Sequence, residues 1–530
     1  MTPDDALPAV LDALDAGRPD QAFALGAEAL RHDPGDARLW GACGIAARLI
    51  GRVADAEHCW RRSLALRPAP DLNHRLAALL AAQGRHAEAE TQYRAVLEHD
   101  PGDFAALTNL GLVLEEQRCL PEAEACQRRA LALAPHRPEI HNHLAGVLAR
   151  KHGADGSEAE AELHYREAHR LAPDDARHLS NLGALFFDLG RTREAETTLR
   201  AALALDPGLA SAHINLGQLL LSLGRLPDGF RHTALRYRLR VPGAVPGFPD
   251  RPPAGAARPW QGQPLAGRRL LVWPEQGHGD QLQFCRFLQV VRGLQAPACL
   301  TFACSDALLP LLQGIAGADA VIALDDAPAA LATHDYWAPL LGLPLFCGTT
   351  LETIPAATPY LAADPPRIAH WAPRLPAGGA RIGLVWRGNL QHDNDRDRSL
   401  PGLSTLAPLW QVPGVRFVSL QKWAGEDEAR TPPSGQPLVH LGSDIESFAD
   451  TAAILSQLDL LISVDTAACH LAGALGIRCW VMLPAYRNDW RWLRDRADTP
   501  WYPGTRLFRQ ARRGDWAPVV DAMRQALQER

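Results

Sequence analysis

Ala- and Leu-rich segments fill the first 240 residues, and prolines close them at a nearly constant interval. Pro34, Pro68, Pro101, Pro135, Pro173 and Pro207 are spaced 34, 33, 34, 38 and 34 residues apart. A small helix-breaking residue recurs in mid-unit at Gly51, Gly84, Gly190 and Gly224, with Arg118 in that slot of the third unit. Each unit therefore predicts helix, turn, helix. The fourth unit is about four residues longer, around HGADGSEAEAE, which predicts a bulge between its helices. From Val241 to Pro264 the pattern stops, with seven prolines in 24 residues reading as a semi-rigid connector. Beyond it the period changes. RRLLVW is strand-like, EQGHGD a turn and QLQFCRFLQVVRGL an amphipathic helix. ACLTFAC, DAVIAL, RIGLVW, VRFVSLQ, LDLLISV and RCWVMLP are further strand candidates, and DPPRIAHWAPRLPAGGA reads as a crossing between two units.

The helical units look like tetratricopeptide repeats, in which small residues such as Gly183 and Ala195 let paired helices approach closely. Such arrays stack into a solenoid with a groove lined by the first helix of each unit. Asn109, Asn142, Asn181 and Asn215 recur there in register, with Ala42 and Arg75 in the earlier slots. Two readings are open: asparagine merely solvates or caps the helix, or a ladder of carboxamides holds the backbone of an extended peptide. The ladder resembles that of the O-GlcNAc transferases, which read protein substrates in this way.

The later strand–helix units read as two Rossmann-like lobes with a cleft at the carboxyl ends of their strands. The fold expected is thus multidomain: an all-α repeat array over 1–240, the connector over 241–264, and α/β lobes over 265–365 and 366–530. A chain of 530 residues with 54 basic and 60 acidic residues has no basic footprint for nucleic acid. The first residues lack a leader pattern and no apolar run reaches membrane-spanning length, so a cytoplasmic protein without stable membrane insertion is expected. The ten cysteines form no CxxC pair and read as buried thiols.

Asp280 ends the turn Glu275-Gln276-Gly277-His278-Gly279-Asp280, where a strand hands over to a helix. It is open to two readings, helix capping or general base for an acceptor hydroxyl. The turn lacks the third glycine of a dinucleotide fingerprint, which disfavours a dehydrogenase. Asp465 and Thr466 follow LDLLISV at a helix start, where free N–H groups attract phosphate, and His470 projects from the same first turn. Arg387 and Asn389 lie in WRGN, and Lys422 in SLQKW. The run from His392 to Ser399 reads as a solvated loop, or else Arg396 and Arg398 clamp a phosphate or a sugar carboxylate. Its Asp395-Arg396-Asp397 triplet follows no suitable strand end, so no metal is expected. The stretch DWRWLRDRADTPWYPGTRLF reads as interdomain packing, with Trp490 and Trp492 as alternative borders of a sugar or acceptor site.

Taken in order, EQGxGD, WRGN, SLQKW and DTxxxH over about residues 260 to 515 resemble the heptosyltransferase-like GT-B glycosyltransferases. The resemblance implies that Asp280 is the base and that Lys422, Asp465, Thr466 and His470 contact the donor, with Gly277, Gly279, Arg387 and Asn389 beside them. Ala467 stands where that family has glycine. The whole arrangement resembles the bacterial flagellin glycosyltransferases, which implies a nucleotide-sugar co-substrate, no separate cofactor and a protein acceptor, flagellin in those enzymes, taking a nonulosonic acid on Ser or Thr. Three alternatives stand beside it: an O-GlcNAc-type transferase using UDP-GlcNAc, a lipopolysaccharide glycosyltransferase, and a scaffold whose transferase half only binds.

Overall fold

The structure, a computed structural model, describes residues 3–151, 156–237, 252, 257–392 and 394–529. Most of the expected connector, residues 152–155 of the fourth-unit insertion and Asp393 lie outside them. The chain forms two compact units, Met1–Leu185 and Phe186–Arg530.

The described part of the first unit is helical and built from hairpins. Ala37–Leu49 packs on Val53–Leu66, Pro70–Ala82 on His86–His99, and Phe104–Glu116 on Leu120–Leu133. Pro3–Asp15 and Pro19–His32 form the hairpin that Pro34 closes, with Gly17 at φ 67° in its turn. Each mid-unit turn needs a left-handed residue: φ is 79° at Gly51 and 74° at Gly84, and Arg118 adopts 63° in the same slot. Arg118 thus fills a glycine position at a backbone cost of about 1 kcal/mol. Within the hairpins, a Cβ on Gly44 would lie 2.4 Å from the Trp60 ring, so glycine sets how near the helices come. In the fourth repeat the second helix, Ser157–Leu171, starts after Gly156 at φ 78°.

The second unit begins with the end of one repeat helix and continues through Thr192–Leu205, Ala210–Ser222 and Leu226–Ala234. Two all-parallel sheets follow. The first contains β1 (Arg258–Pro259), β2 (Arg269–Trp273), β3 (Cys299–Cys304), β4 (Ala320–Ala323) and β5 (Tyr336–Pro339), in the order β1-β5-β2-β3-β4. The second contains β6 (Ala380–Val385), β7 (Val415–Ser419), β8 (Val439–His440), β9 (Leu460–Val464), β10 (Cys479–Leu483) and β11 (Thr505–Arg509), in the order β11-β10-β9-β6-β7-β8. Counting from β6, that is the 3-2-1-4-5-6 order of a doubly wound dinucleotide-binding fold.

All seven sequence-read strands are present, but β1, β5, β8 and β11 were not anticipated. β1 and β8 span two residues each, and β1 holds Pro259 at a sheet edge, where a missing N–H is harmless. The single helix expected over 281–294 is two, His278–Phe284 and Phe287–Gln295. Side chains take the carbonyls at the break: the Tyr360 hydroxyl donates to Leu282 O at 2.9 Å and Arg286 Nε to Gln283 O at 2.9 Å.

The last repeat shares its core with the first sheet. Leu221, Leu226 and Phe230 are buried in one cluster with Val272, Phe284 and Leu343. Arg236 Nη2 donates to the buried carboxylate of Glu275 at 2.7 Å, and Arg487 Nε to Asp188 at 2.9 Å. A fragment beginning at residue 241 therefore uncovers three large apolar side-chain seats, each worth roughly 2 kcal/mol. Thermal unfolding should place its melting temperature about 10 °C or more below that of a fragment beginning at Ala176. Equal melting temperatures would mean that these helices are dispensable to the α/β part.

Candidate active site

Parallel strands direct all their carboxyl-end loops to one sheet edge, and strand order decides where a crevice opens there. In the second sheet the order reverses between β6 and β9. The loops beyond them carry Trp386 to Ser399 and Asp465 to His470, so most of the second-lobe candidates flank this switch point.

Asp465 and Thr466 precede the helix Ala467–Ala474, with Thr466 as its extended N-cap residue. The Thr466 hydroxyl shares a hydrogen bond with Ser463 Oγ at 3.0 Å rather than capping the helix. His470 is buried, stacked on Trp492 at 5.3 Å between ring centroids, with Nε2 3.9 Å from Asp465 Oδ1. Across from it lies the first-lobe turn. A Cβ on Gly279 would come 2.8 Å from His470 Cδ2, so glycine there lets the helix His278–Phe284 meet the His470 helix. The two motifs singled out in the sequence thus touch at Gly279 and His470.

Asp280 is not the N-cap residue the sequence suggested but the third residue of the helix that Gly277 caps; it accepts from the Gly277 N–H at 2.9 Å, and its other oxygen pairs with Arg491. Arg491 also donates to both oxygens of Asp489, at 3.0 and 2.8 Å. Burial raises Asp280 above the ordinary carboxyl range against the pull of Arg491. Burial and then Asp489 raise Asp465 to about 6, with Arg398 opposing. Burial works the same way on Asp489, but Arg491 outweighs it and holds that carboxyl low. His470 falls to about 3, through burial and then Arg491, so its imidazole is neutral.

Arg398 is mostly buried, lies against the Gly388 backbone and approaches Asp395 at 3.5 Å. Arg396 is exposed. The run around them is not a solvated loop: Asn394 and Asp395 are buried, and Asp397 pairs with Arg513 at 2.6 and 2.9 Å. Gln421 knits the loops after β6 and β7, its Oε1 accepting from the N–H groups of Trp386 and Arg387 at 2.9 and 3.0 Å. Arg387 pairs with Glu428 at 3.0 Å. Asn389 is exposed and closes an Asx turn with Gln391 at 3.0 Å. Lys422 donates to the Ile445 carbonyl and makes no ion pair among the described residues. The Nε–H groups of Arg387, Arg398 and Arg491 have no hydrogen-bond partner among the described residues.

Asp465, Cys469 and His470 bring ligand-type atoms within 4.8 Å of one another. The Cys469 thiol donates to Thr466 O at 2.8 Å, and burial drives its acidity well below that of an ordinary thiol. Sequence reasoning missed Arg491, Asp489, Tyr502 and Glu275. The Trp/Arg-rich stretch that holds the first three was read as packing, and Trp490 does pack edge-on against Phe230 at 5.8 Å.

In the repeats, Asn181 Nδ2 donates to Asn142 Oδ1 at 2.8 Å, and Asn109 Nδ2 meets His74 Nε2 at 3.3 Å. Asn109, Asn142, Asn181 and Asn215 are all partly exposed.

A tetratricopeptide-repeat family model matches residues 74–138 and 180–238. The helical hairpins are tetratricopeptide repeats. The chain is 28% identical over 525 residues to Protein FlbA of Caulobacter vibrioides, covering 92% of this chain and 84% of that one. It is 44% identical over 63 residues to protein O-mannosyl-transferase Tmtc3 of Drosophila melanogaster, 12% of this chain and 7% of that protein. A tetratricopeptide repeat protein of Parabacteroides merdae superposes with a TM-score of 0.41 at 16% identity, over 45% of this chain and 94% of that one. Among the described residues no helix is long and apolar enough to cross a membrane.

The raised pKa of Asp465 has a stability consequence. A carboxyl that holds its proton more tightly when folded contributes less and less as pH rises from about 4 through about 6. Asp465→Asn should therefore be more stable than the parent at about pH 7.5, by about 3 kcal/mol at most, with no advantage at about pH 3.5. Urea unfolding at the two pH values measures this, and a variant less stable at both would show that the carboxylate is well solvated.

Proposed function

We propose that the protein is a metal-independent GT-B glycosyltransferase that moves a sugar from a nucleotide donor to a Ser or Thr hydroxyl of a protein held by its repeats. The observation that carries this reading is the set of Nε–H groups on Arg387, Arg398 and Arg491 that make no hydrogen bond among the described residues, placed on segments around a helix start at the switch point. Unsatisfied guanidinium donors beside a helix N-terminus suit an anion such as a donor phosphate. Asp280, from the other lobe, has a pKa raised by burial, which makes it a better base.

In this reading Asp280 takes the acceptor hydroxyl proton as the hydroxyl oxygen attacks the anomeric carbon. The bond from that carbon to the donor phosphate breaks, and the charge left on the nucleotide is met by the helix N-terminus, His470 and Arg398. Arg491 must release or share Asp280 for the base to act, so donor binding that engages Arg491 couples the two events. Lys422 joins the phosphate only if it leaves the Ile445 carbonyl. A nonulosonic acid donor suits the same guanidinium groups through its carboxylate, and flagellin is the acceptor that the family resemblance suggests. The near full-length similarity to FlbA spans both the repeats and the sheets.

Calorimetric titration with CMP-, UDP-, ADP- and GDP-linked ligands tests the donor site, and failure of all four to bind removes the reading. With the donor in hand, Asp280→Asn should lower turnover about 100-fold or more while leaving donor affinity nearly unchanged. Near-normal turnover would make Asp280 a helix-capping and Arg491-pairing residue only.

The repeats supply the acceptor site. Asn142 and Asn181 already bond to one another, which leaves one carboxamide oxygen and one nitrogen of the pair to face a peptide backbone. Replacing both by Ala removes contacts worth roughly 0.5 to 1.5 kcal/mol each and should weaken acceptor binding about tenfold. Ala keeps the helices intact, so unchanged circular dichroism with unchanged acceptor capture would assign recognition to other residues.

A further inference from the structure

Beside the site lies a buried cation that makes no ion pair with a carboxylate among the described residues. Arg286 is buried, and its guanidinium donates to the carbonyls of Gln283, Pro355 and Trp501 at 2.9, 3.1 and 2.8 Å and to the Tyr360 hydroxyl at 2.8 Å. Its charge lies over the rings of Tyr360 and Tyr502, at 4.3 and 4.7 Å from their centroids. Tyr502 is fixed from the other side as well. A Cβ on Gly473 would fall 2.3 Å from the Tyr502 ring, so the ring rests directly on the backbone of the His470 helix. Its hydroxyl reaches His470 Nδ1 at 3.0 Å.

We propose that Tyr502 is a positioning residue that holds His470 in the tautomer with its hydrogen on Nε2, so that a neutral imidazole presents an N–H donor to an anion bound at the Asp465–Thr466 turn. The neighbours of the ring decide the tautomer. Nε2 lies 3.9 Å from Asp465 Oδ1, and a carboxylate oxygen only accepts. At Nδ1 the neighbour is a phenol, which donates or accepts. Placing the hydrogen on Nε2 lets the phenol donate to Nδ1 and turns an N–H toward the carboxylate. The opposite tautomer turns a lone pair toward the carboxylate and sends the phenol proton to its other neighbour, the Tyr360 hydroxyl. Burial keeps the Tyr502 hydroxyl protonated and the imidazole neutral, in line with those roles.

A neutral imidazole N–H stabilises developing negative charge without the strong ground-state attraction of an imidazolium. It also avoids adding a third positive charge beside Arg491 and Arg286. That the anion is a nucleotide phosphate rests on the transferase reading above, whereas the tautomer does not.

The test uses the full chain labelled with 15N-histidine, with the His470 ring signals assigned by their loss in His470→Gln. Long-range proton–nitrogen spectra should show a protonated Nε2 and an unprotonated Nδ1. Tyr502→Phe keeps the ring on Gly473 and under Arg286 but removes the hydroxyl, and it should give a mixture of tautomers or the reverse one. Turnover with the donor found by titration should fall roughly tenfold, carried by kcat rather than KM. Hydrogen on Nδ1 in the parent, or an unaltered His470 spectrum in Tyr502→Phe, overturns the proposal. Should the tautomer be as stated while UDP, CMP, ADP and GDP all leave the Nε2–H signal unmoved, Tyr502 keeps its positioning role and the transferase reading fails.

Discussion

Asp280, Asp465 and Asp489 converge where the two lobes of the second unit meet, and the guanidinium of Arg491 is the cation bonded to two of them. In a water-poor setting that imbalance is costly unless charges are shared, neutralised or met by a ligand. The three carboxyls resolve it unequally. Asp489 keeps its charge because Arg491 grips both its oxygens, while Asp280 and Asp465 are pushed toward the protonated form. Carboxyls of one residue type are thereby driven to different acidities by their surroundings, the condition under which one group serves as a base while another fixes its partner.

Around this cluster the backbone is arranged for closeness. Gly279 lets one helix start abut another, Gly388 seats Arg398, and Gly473 seats Tyr502. Each glycine stands where a side chain would push a functional group away, so the glycines of these motifs serve packing between elements as much as the course of their own turns.

The repeat period, the mid-unit turns and the long apolar strands were legible because each is a local pattern set by backbone geometry. Arg118 in a glycine slot was legible too, since its place in the period outweighs its residue type. The short strands β1, β5 and β8 were not, because two to four residues carry no periodicity and pair only after neighbouring strands exist. In the site, the residues of EQGHGD and SVDTAACH could be singled out from strand–turn–helix context alone. Arg491 and Tyr502 could not. Their meaning depends on partners more than 30 positions away in the chain, Asp280 for one and His470 for the other, and nothing in a Trp- and Arg-rich stretch separates an arginine that only packs from one that pairs with a buried carboxylate.

The sharing of a core between the last repeat and the first sheet bears on how such a chain changes over time. By sequence period the array ends near residue 240, yet by packing its final hairpin belongs to the α/β part. Repeats ahead of Phe186 lie in a unit of their own and are free to be duplicated, lost or exchanged. The hairpin from Ala210 to Ala234 has become part of the α/β core, and lineages that vary the length of the array must do so upstream of it.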